Sequence, residues 1–253
     1  MRHTYLSNLL SSYVLASCAL SGGAMISGHA EARAADRTHC LPQSRPHATL
    51  IQDFERVSTN RPVALRGWHN LAHKGRAWWG YELYDDNCDN HAAKITAYGL
   101  SSGGNAPDDI DAMLVTPPLS LNNAPARKLY FRFMGTDLRP EMAGCFEICC
   151  IENEKGKARI TPLPVEIDFS PEADNIWQHF VVDFSDADIS DVFFVGFRLR
   201  DTADTDYSGV FFIDDVSWGH DTYPGLCPTS DVARITVPHH DGMQELCYVT
   251  LHP

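Results

Sequence analysis

Carboxylates at two points of the chain carry its clearest chemistry: Asp53-Phe54-Glu55 near the start and Asp214-Asp215 near the end. Asp53 and Glu55 stand two apart in a strand-like run, which puts both side chains on one face. Asp214-Asp215 sits within the apolar run Phe211-Phe212-Ile213-Asp214-Asp215-Val216, where an acid is costly unless it is paired or metal-bound. Calcium takes roughly six to eight oxygens at about 2.3–2.6 Å from carboxylates, amides and carbonyls. These acids are therefore candidate ligands of a structural Ca2+ ion. Neighbours on a regular strand face opposite sides, so only one of Asp214 and Asp215 is expected to ligate. Asp204-x-Asp206-x-Ser208-Gly209, with Asp215 in the twelfth position, repeats the oxygen spacing of an EF-hand loop. Its flanks read as strand, which leaves an acidic turn giving one or two ligands, or a solvated turn.

Other chemistry leaves no such trace. The chain has no GxSxG elbow, no HExxH helix and no glycine loop for phosphate. His239-His240-Asp241 falls in an expected turn, read as a solvated loop ahead of a metal site. Carboxylate pairs of the glycosidase kind are plentiful, but nothing selects one of them. Trp68, Trp78, Trp79, Tyr81 and Tyr84 offer either a sugar-stacking platform or core packing, and packing is the expectation for any single Trp. The formal charge of −13 excludes a nucleic-acid partner and an anionic membrane surface. Between Val165 and Asp215, thirteen acids face two arginines and no lysine, so this surface is either simply solvated or suited to cations.

Residues 1–34 read as an export signal. Arg2 precedes the uncharged stretch Leu9 to Ile26, and both Gly28-His29-Ala30 and Ala32-Arg33-Ala34 offer small-x-small cleavage sites. Leu15-Ala16-Ser17-Cys18 also resembles a lipobox, so a lipid anchor at Cys18 is the one route to a membrane. After export, Cys40, Cys88, Cys145, Cys149, Cys150, Cys227 and Cys247 enter an oxidising compartment, and at least one disulfide is expected. Their connectivity is open, with Cys227–Cys247 the favoured pair.

The rest of the pattern is β. Apolar or alternating runs at Ala48-Phe54, Ala93-Tyr98, Met113-Val115, Lys128-Met134, Cys145-Ile151, His179-Phe184, Phe193-Arg200 and Val210-Trp218 are divided by turn-rich segments. Many short strands at this spacing predict an all-β jelly-roll β-sandwich over 47–219. A C-terminal extension, 220–253, is expected to carry a short β-hairpin from Val232-Val237 and Leu246-Leu251.

Several blocks together resemble the cleaved adhesin, or choice-of-anchor J, domains of bacterial surface proteins, and more distantly MAM domains. They are Asp53-Phe54-Glu55; Trp68-His69-Asn70 with Trp78; Ala93 to Tyr98; Asp111 to Pro117; Phe146-Glu147-Ile148; Trp177 with Val181 to Ser185; and Asp206-Tyr207-Ser208 with Phe212 to Ser217. The resemblance spans roughly Ala48 to Gly219. It implies a calcium-bearing jelly roll on an exported protein, with Asp53, Glu55 and one of Asp214 or Asp215 as ligands and Asp111 as a further candidate. The expected function is non-enzymatic: binding or adhesion toward a glycan or extracellular protein ligand, at the cell surface or beyond. The alternatives are a secreted carbohydrate-active enzyme or its accessory module, and a structural envelope protein.

Overall fold

A computed structural model describes residues 45–55, 62–75, 77–85, 90–96, 109–201, 209–222, 232–237 and 247–248. Its strands are β1 (Leu50–Gln52), β2 (His69–Lys74), β3 (Gly80–Asp85), β4 (Asn90–Thr96), β5 (Ile110–Val115), β6 (Leu119–Ser120), β7 (Lys128–Thr136), β8 (Phe146–Glu154), β9 (Lys157–Pro162), β10 (Gln178–Asp183), β11 (Val192–Asp201), β12 (Val210–Trp218), β13 (Val232–Thr236) and β14 (Cys247–Tyr248). They build two sheets of seven strands. The front sheet runs β13-β10-β7-β12-β4-β3, with β1 also on β12; the back sheet runs β14-β9-β8-β11-β5-β2, with β6 also on β11. All ladders are antiparallel except β10 with β13. The expected all-β jelly-roll sandwich is what the chain forms. Among the described residues no helix is long and apolar enough to cross a membrane.

Period-two patterning sets the two faces of each strand. Along β7, Leu129, Phe131 and Phe133 are buried in the core while Lys128, Arg132 and Thr136 point outward. The core between the sheets is aromatic. Phe131 of the front sheet stacks on Phe180 at 5.1 Å and meets Phe197 of the back sheet edge-on at 5.5 Å. Phe133 lies 5.0 Å from Phe146 and 5.8 Å from Phe211. At the other end Trp218 packs edge-on against Phe184 and Phe193. Each buried ring contributes about 1.5–3 kcal/mol, with roughly 0.5–1.5 more per well-placed pair.

The structure alters several expectations. Val232-Val237 and the Cys247–Tyr248 segment do not form a hairpin with each other. β13 runs parallel to β10 at the edge of the front sheet, and β14 pairs with β9 at the edge of the back sheet. The physical reason is that β10 and β9 would otherwise end their sheets, and each offers a row of unpaired backbone groups to a further strand. Val237 follows β13 into the main core at 3 % exposure, and its N–H donates to the Asp183 carbonyl at 2.9 Å. β2, β3, the two-residue β6 and β9 lie where no strand was expected. β2 and β3 are edge strands, and β9 buries little beyond Ala158, Ile160 and Thr161, so none carries a long apolar signal.

Three rings of the aromatic stretch are core, and the side chain of Tyr84 lies outside the described residues. Trp68, Trp79 and Tyr81 are buried, Trp78 is half-buried, and Phe54 packs edge-on against Trp68. Cys149 and Cys150 are buried free thiols on β8, which removes them from the expected disulfide set. β-Alternation explains it: Cys150 faces the inter-sheet core, and Cys149 faces an outer apolar cluster with Met113, Ile151 and Phe194. Cys40, Cys88 and Cys227, the side chain of Cys247, the export signal, the Asp204–Ser208 turn and His239-His240-Asp241 lie outside the described residues.

Candidate functional site

The site arises from a break in a ladder. On one edge of β12, β4 pairs with Val210 to Ile213, and β1 pairs with Val216 to Trp218. Asp214 and Asp215 fall at the junction, opposite the end of β1 and the start of β4. On the other edge, β12 shifts register against β7 between Asp214 and Ser217. Asp215 takes a left-handed conformation there, φ 52°. A bulge of this kind adds a residue without a facing partner and re-aims its side chain. Alternation therefore fails at this point, and both acids reach the same outward-facing arginine, Arg132 of β7. The expectation that only one of the pair faces a given side rested on a regular strand, and the bulge removes it.

Arg132 organises the site. Its Nη2 donates to Asp214 Oδ2 at 2.5 Å, and its Nε lies 2.8 Å from Asp215 Oδ2. The guanidinium carbon sits 4.3 Å above the Trp177 ring, close enough for cation–π attraction. His179 is its cross-strand neighbour on β10. Asp214 is fully buried, and its Oδ1 accepts the Asp215 N–H at 2.7 Å. Burial pushes the Asp214 carboxyl up to about 7, against the downward pull of Arg132 and with an upward contribution from Asp215. Asp215 is raised too, first by burial, with Arg132 opposing and Asp53 and Glu55 adding their repulsion. Burial and then Arg132 lower His179, favouring the neutral ring.

The repulsion felt by Asp215 locates the other two acids. β1 delivers Asp53 to this junction because Gln52 pairs with Val216. Phe54 follows at φ 52°, a strained setting for an aromatic residue, with its ring fully buried. That inward anchor leaves Asp53 and Glu55 outside on either side of it. Asp53 Oδ1 accepts the Glu55 N–H, and the Glu55 carboxylate accepts the His91 N–H at 3.3 Å beside the His91 ring, 3.7 Å away. Gly219 secures β1 from the far end: at φ +83°, a Cβ there would stand 2.3 Å from the Ala48 carbonyl oxygen.

Asp53, Glu55, Asp214 and Asp215 thus converge on one junction. Asp111 does not join them. It lies on β5 in the back sheet and makes a bidentate pair with Arg198, at 2.8 and 2.7 Å. Arg198 is itself buried and also faces Glu147. A cation is the right partner for Asp111, but the chain supplies its own.

The donors at the junction suit calcium in kind, since Asp53, Glu55 and Asp215 offer hard oxygens and backbone carbonyls or waters commonly complete such shells. Asp214 does not suit it, because Arg132 and the Asp215 N–H engage its two oxygens. Among the described residues, no three Asp, Glu, His or Cys side chains stand close enough to grip an ion as placed. Sequence reasoning missed Arg132 and Trp177 as members of the site. Arg132 keeps the alternation of β7 as a charge at an outward position between Phe131 and Phe133, and that charge was the available signal.

No family model matches the chain, and no curated protein matches it. Several solved structures resemble it at low identity. One is the K1 cleaved adhesin domain of Lys-gingipain from Porphyromonas gingivalis W83: 18 % identity, 69 % of this chain and 99 % of that one, TM-score 0.39. Another is the C-terminal family 22 carbohydrate-binding module of Clostridium thermocellum Xyn10B: 12 % identity, 68 % and 94 % coverage, TM-score 0.35. A third is the carbohydrate-binding module TmCBM27: 15 % identity, 67 % and 96 % coverage, TM-score 0.29. The chain is similar to these domains, and its assignment as a jelly-roll sandwich stands on its own strand pairing.

Proposed function

We propose that the chain is an exported binding or adhesion protein that recognises a glycan or an extracellular protein ligand and carries a structural calcium ion at the β1–β12 junction. Asp53, Glu55 and Asp215 are its side-chain ligands. The observation that carries the ion is the gathering of these acids at one break in a ladder, where Asp53 and Glu55 repel the charge of a half-buried Asp215. A divalent cation relieves that repulsion. The binding role rests on the resemblance that runs from Ala48 to Gly219. A non-catalytic role is supported by the internal donors that hold the acids of the junction in place. Export follows from the leader, with release after Ala30 or Ala34, or anchorage at Cys18.

The test uses the purified mature chain on arrays of glycans and extracellular matrix proteins, with calcium and with chelator, alongside thermal melts. Calcium about a hundredfold above its dissociation constant stabilises the fold by ~2.7 kcal/mol. Asp53→Ala with Glu55→Ala abolishes that gain. Melting indifferent to calcium and chelator would show the ion to be absent, and calcium-dependent turnover of a polysaccharide would replace the binding reading with an enzymatic one.

A further inference from the structure

We propose that the C-terminal segment after β13, residues 238–253, covers the outer face of the back sheet and is held at its rim by β14. The face needs a cover. Met113, Val115, Cys149, Ile151, Ile160 and Phe194 point away from the inter-sheet core, which their neighbours Leu114, Ile148, Cys150, Phe193 and Val195 fill. Met113 and Ile151 meet above Gly196, where a Cβ would stand 2.5 Å from Met113 Sδ and 3.0 Å from Ile151 Cδ1. The apolar surface is therefore continuous from β5 across β11 to β8. The outer face of an antiparallel sheet commonly meets water through polar side chains. Here Val115, Cys149 and Ile151 are fully buried within the single chain, and Ile160 nearly so. An apolar sheet face reaches that state beneath another layer. Among the described residues no element supplies it. Leu163, Phe169 and Phe184 take their connecting segments into the inter-sheet core, and the outer cluster gains only Leu71, which belongs to β2.

The C-terminal segment starts and is anchored where a cover would have to come from. β13 ends on the edge of the front sheet, and β14 pairs at the edge of the back sheet. There Cys247 stands opposite Ile160, and Ile160 opposite Ile151, so one rung ties the segment to the apolar face. Nine residues, Pro238 to Leu246, join the two strands. Extended, they reach up to about 30 Å, against roughly 15 Å for the three strand spacings from β9 to β5. Five more residues follow Tyr248, and Met243, Leu246, Val249 and Leu251 supply apolar side chains along the segment. Length, anchor and composition thus match what the face requires.

The experiment compares thiol labelling of Cys149 and Cys150, located by tandem mass spectrometry, in the mature chain and in a chain ending at Val237. The two thiols are neighbours on β8 that face opposite sides, so Cys149 reports the outer face and Cys150 the inter-sheet core. Without the segment, Cys149 reacts roughly tenfold or more faster, because solvent access restores its thiolate, and Cys150 stays protected. Met243→Asp with Val249→Asp in the full mature chain gives the same selective exposure without deleting a strand, and decides the matter if the shortened chain does not fold. Cys149 that stays protected in a folded variant overturns the proposal. Selective exposure of Cys149 in a chain starting at Arg45, and not in the C-terminal variants, also overturns it by making the N-terminal segment the cover. If both thiols open together in both C-terminal variants, the segment supports the whole sandwich rather than its outer face, and the proposal fails.

Discussion

Replacing Asp111 with alanine separates a metal ligand from an ion-pair partner. Arg198 is only 5 % exposed, and Asp111 receives its Nε and Nη2 in a bidentate pair. Removing the carboxylate strands a buried guanidinium, which costs roughly 3–5 kcal/mol when nothing else compensates. Glu147 remains 3.8 Å from Arg198 Nη1, so the lower end applies. The expected loss is about 3 kcal/mol, or about 6–12 °C in melting temperature for a domain of this size. Urea and thermal unfolding, each run with calcium and with chelator, measure it. The loss is the same in both conditions, and Asp111→Leu with Arg198→Met recovers most of it because both charges leave the interior together. A loss below ~1 kcal/mol, or one confined to the calcium-loaded protein, would refute the ion-pair assignment and return Asp111 to the ligand set.

Three further outcomes are expected. Cys149 and Cys150 stay unlabelled by a thiol reagent at pH 8 in the native state and react on unfolding, because burial pushes the Cys149 thiol up to about 12 and Cys150 well above its ordinary value; rapid native labelling, or either residue in a mapped disulfide, contradicts this. Gly219→Ala destabilises by at least about 1–2 kcal/mol from its left-handed backbone alone and also weakens calcium binding by displacing β1, whereas unchanged binding would mean that β1 does not position Asp53. Val237→Ala costs about 1 kcal/mol or more in the single unfolding transition of the sandwich; no effect would make the C-terminal strand a detachable extension.

The sandwich was legible in the sequence because strand identity is local. Lys128-Leu129-Tyr130-Phe131-Arg132-Phe133 and Val210 to Trp218 declare their buried faces through alternation, and aromatic content alone calls for a second sheet to cover them. The carboxylates could be singled out for a similar reason, since an acid within an apolar strand is conspicuous whatever the fold. Partnership was not legible. Which partner meets each acid depends on residues far along the chain: Arg132 for Asp214, Arg198 for Asp111, His91 for Glu55. Their convergence is set by strand order and register, which arise from the packing of the whole core. The bulge that brings Asp214 and Asp215 to one side had no local signature, because neither residue is a glycine. The last two strands show the same limit. Val232-Ala233-Arg234-Ile235-Thr236 reads as a strand on its own, but only the assembled sandwich presents the β10 edge that it joins.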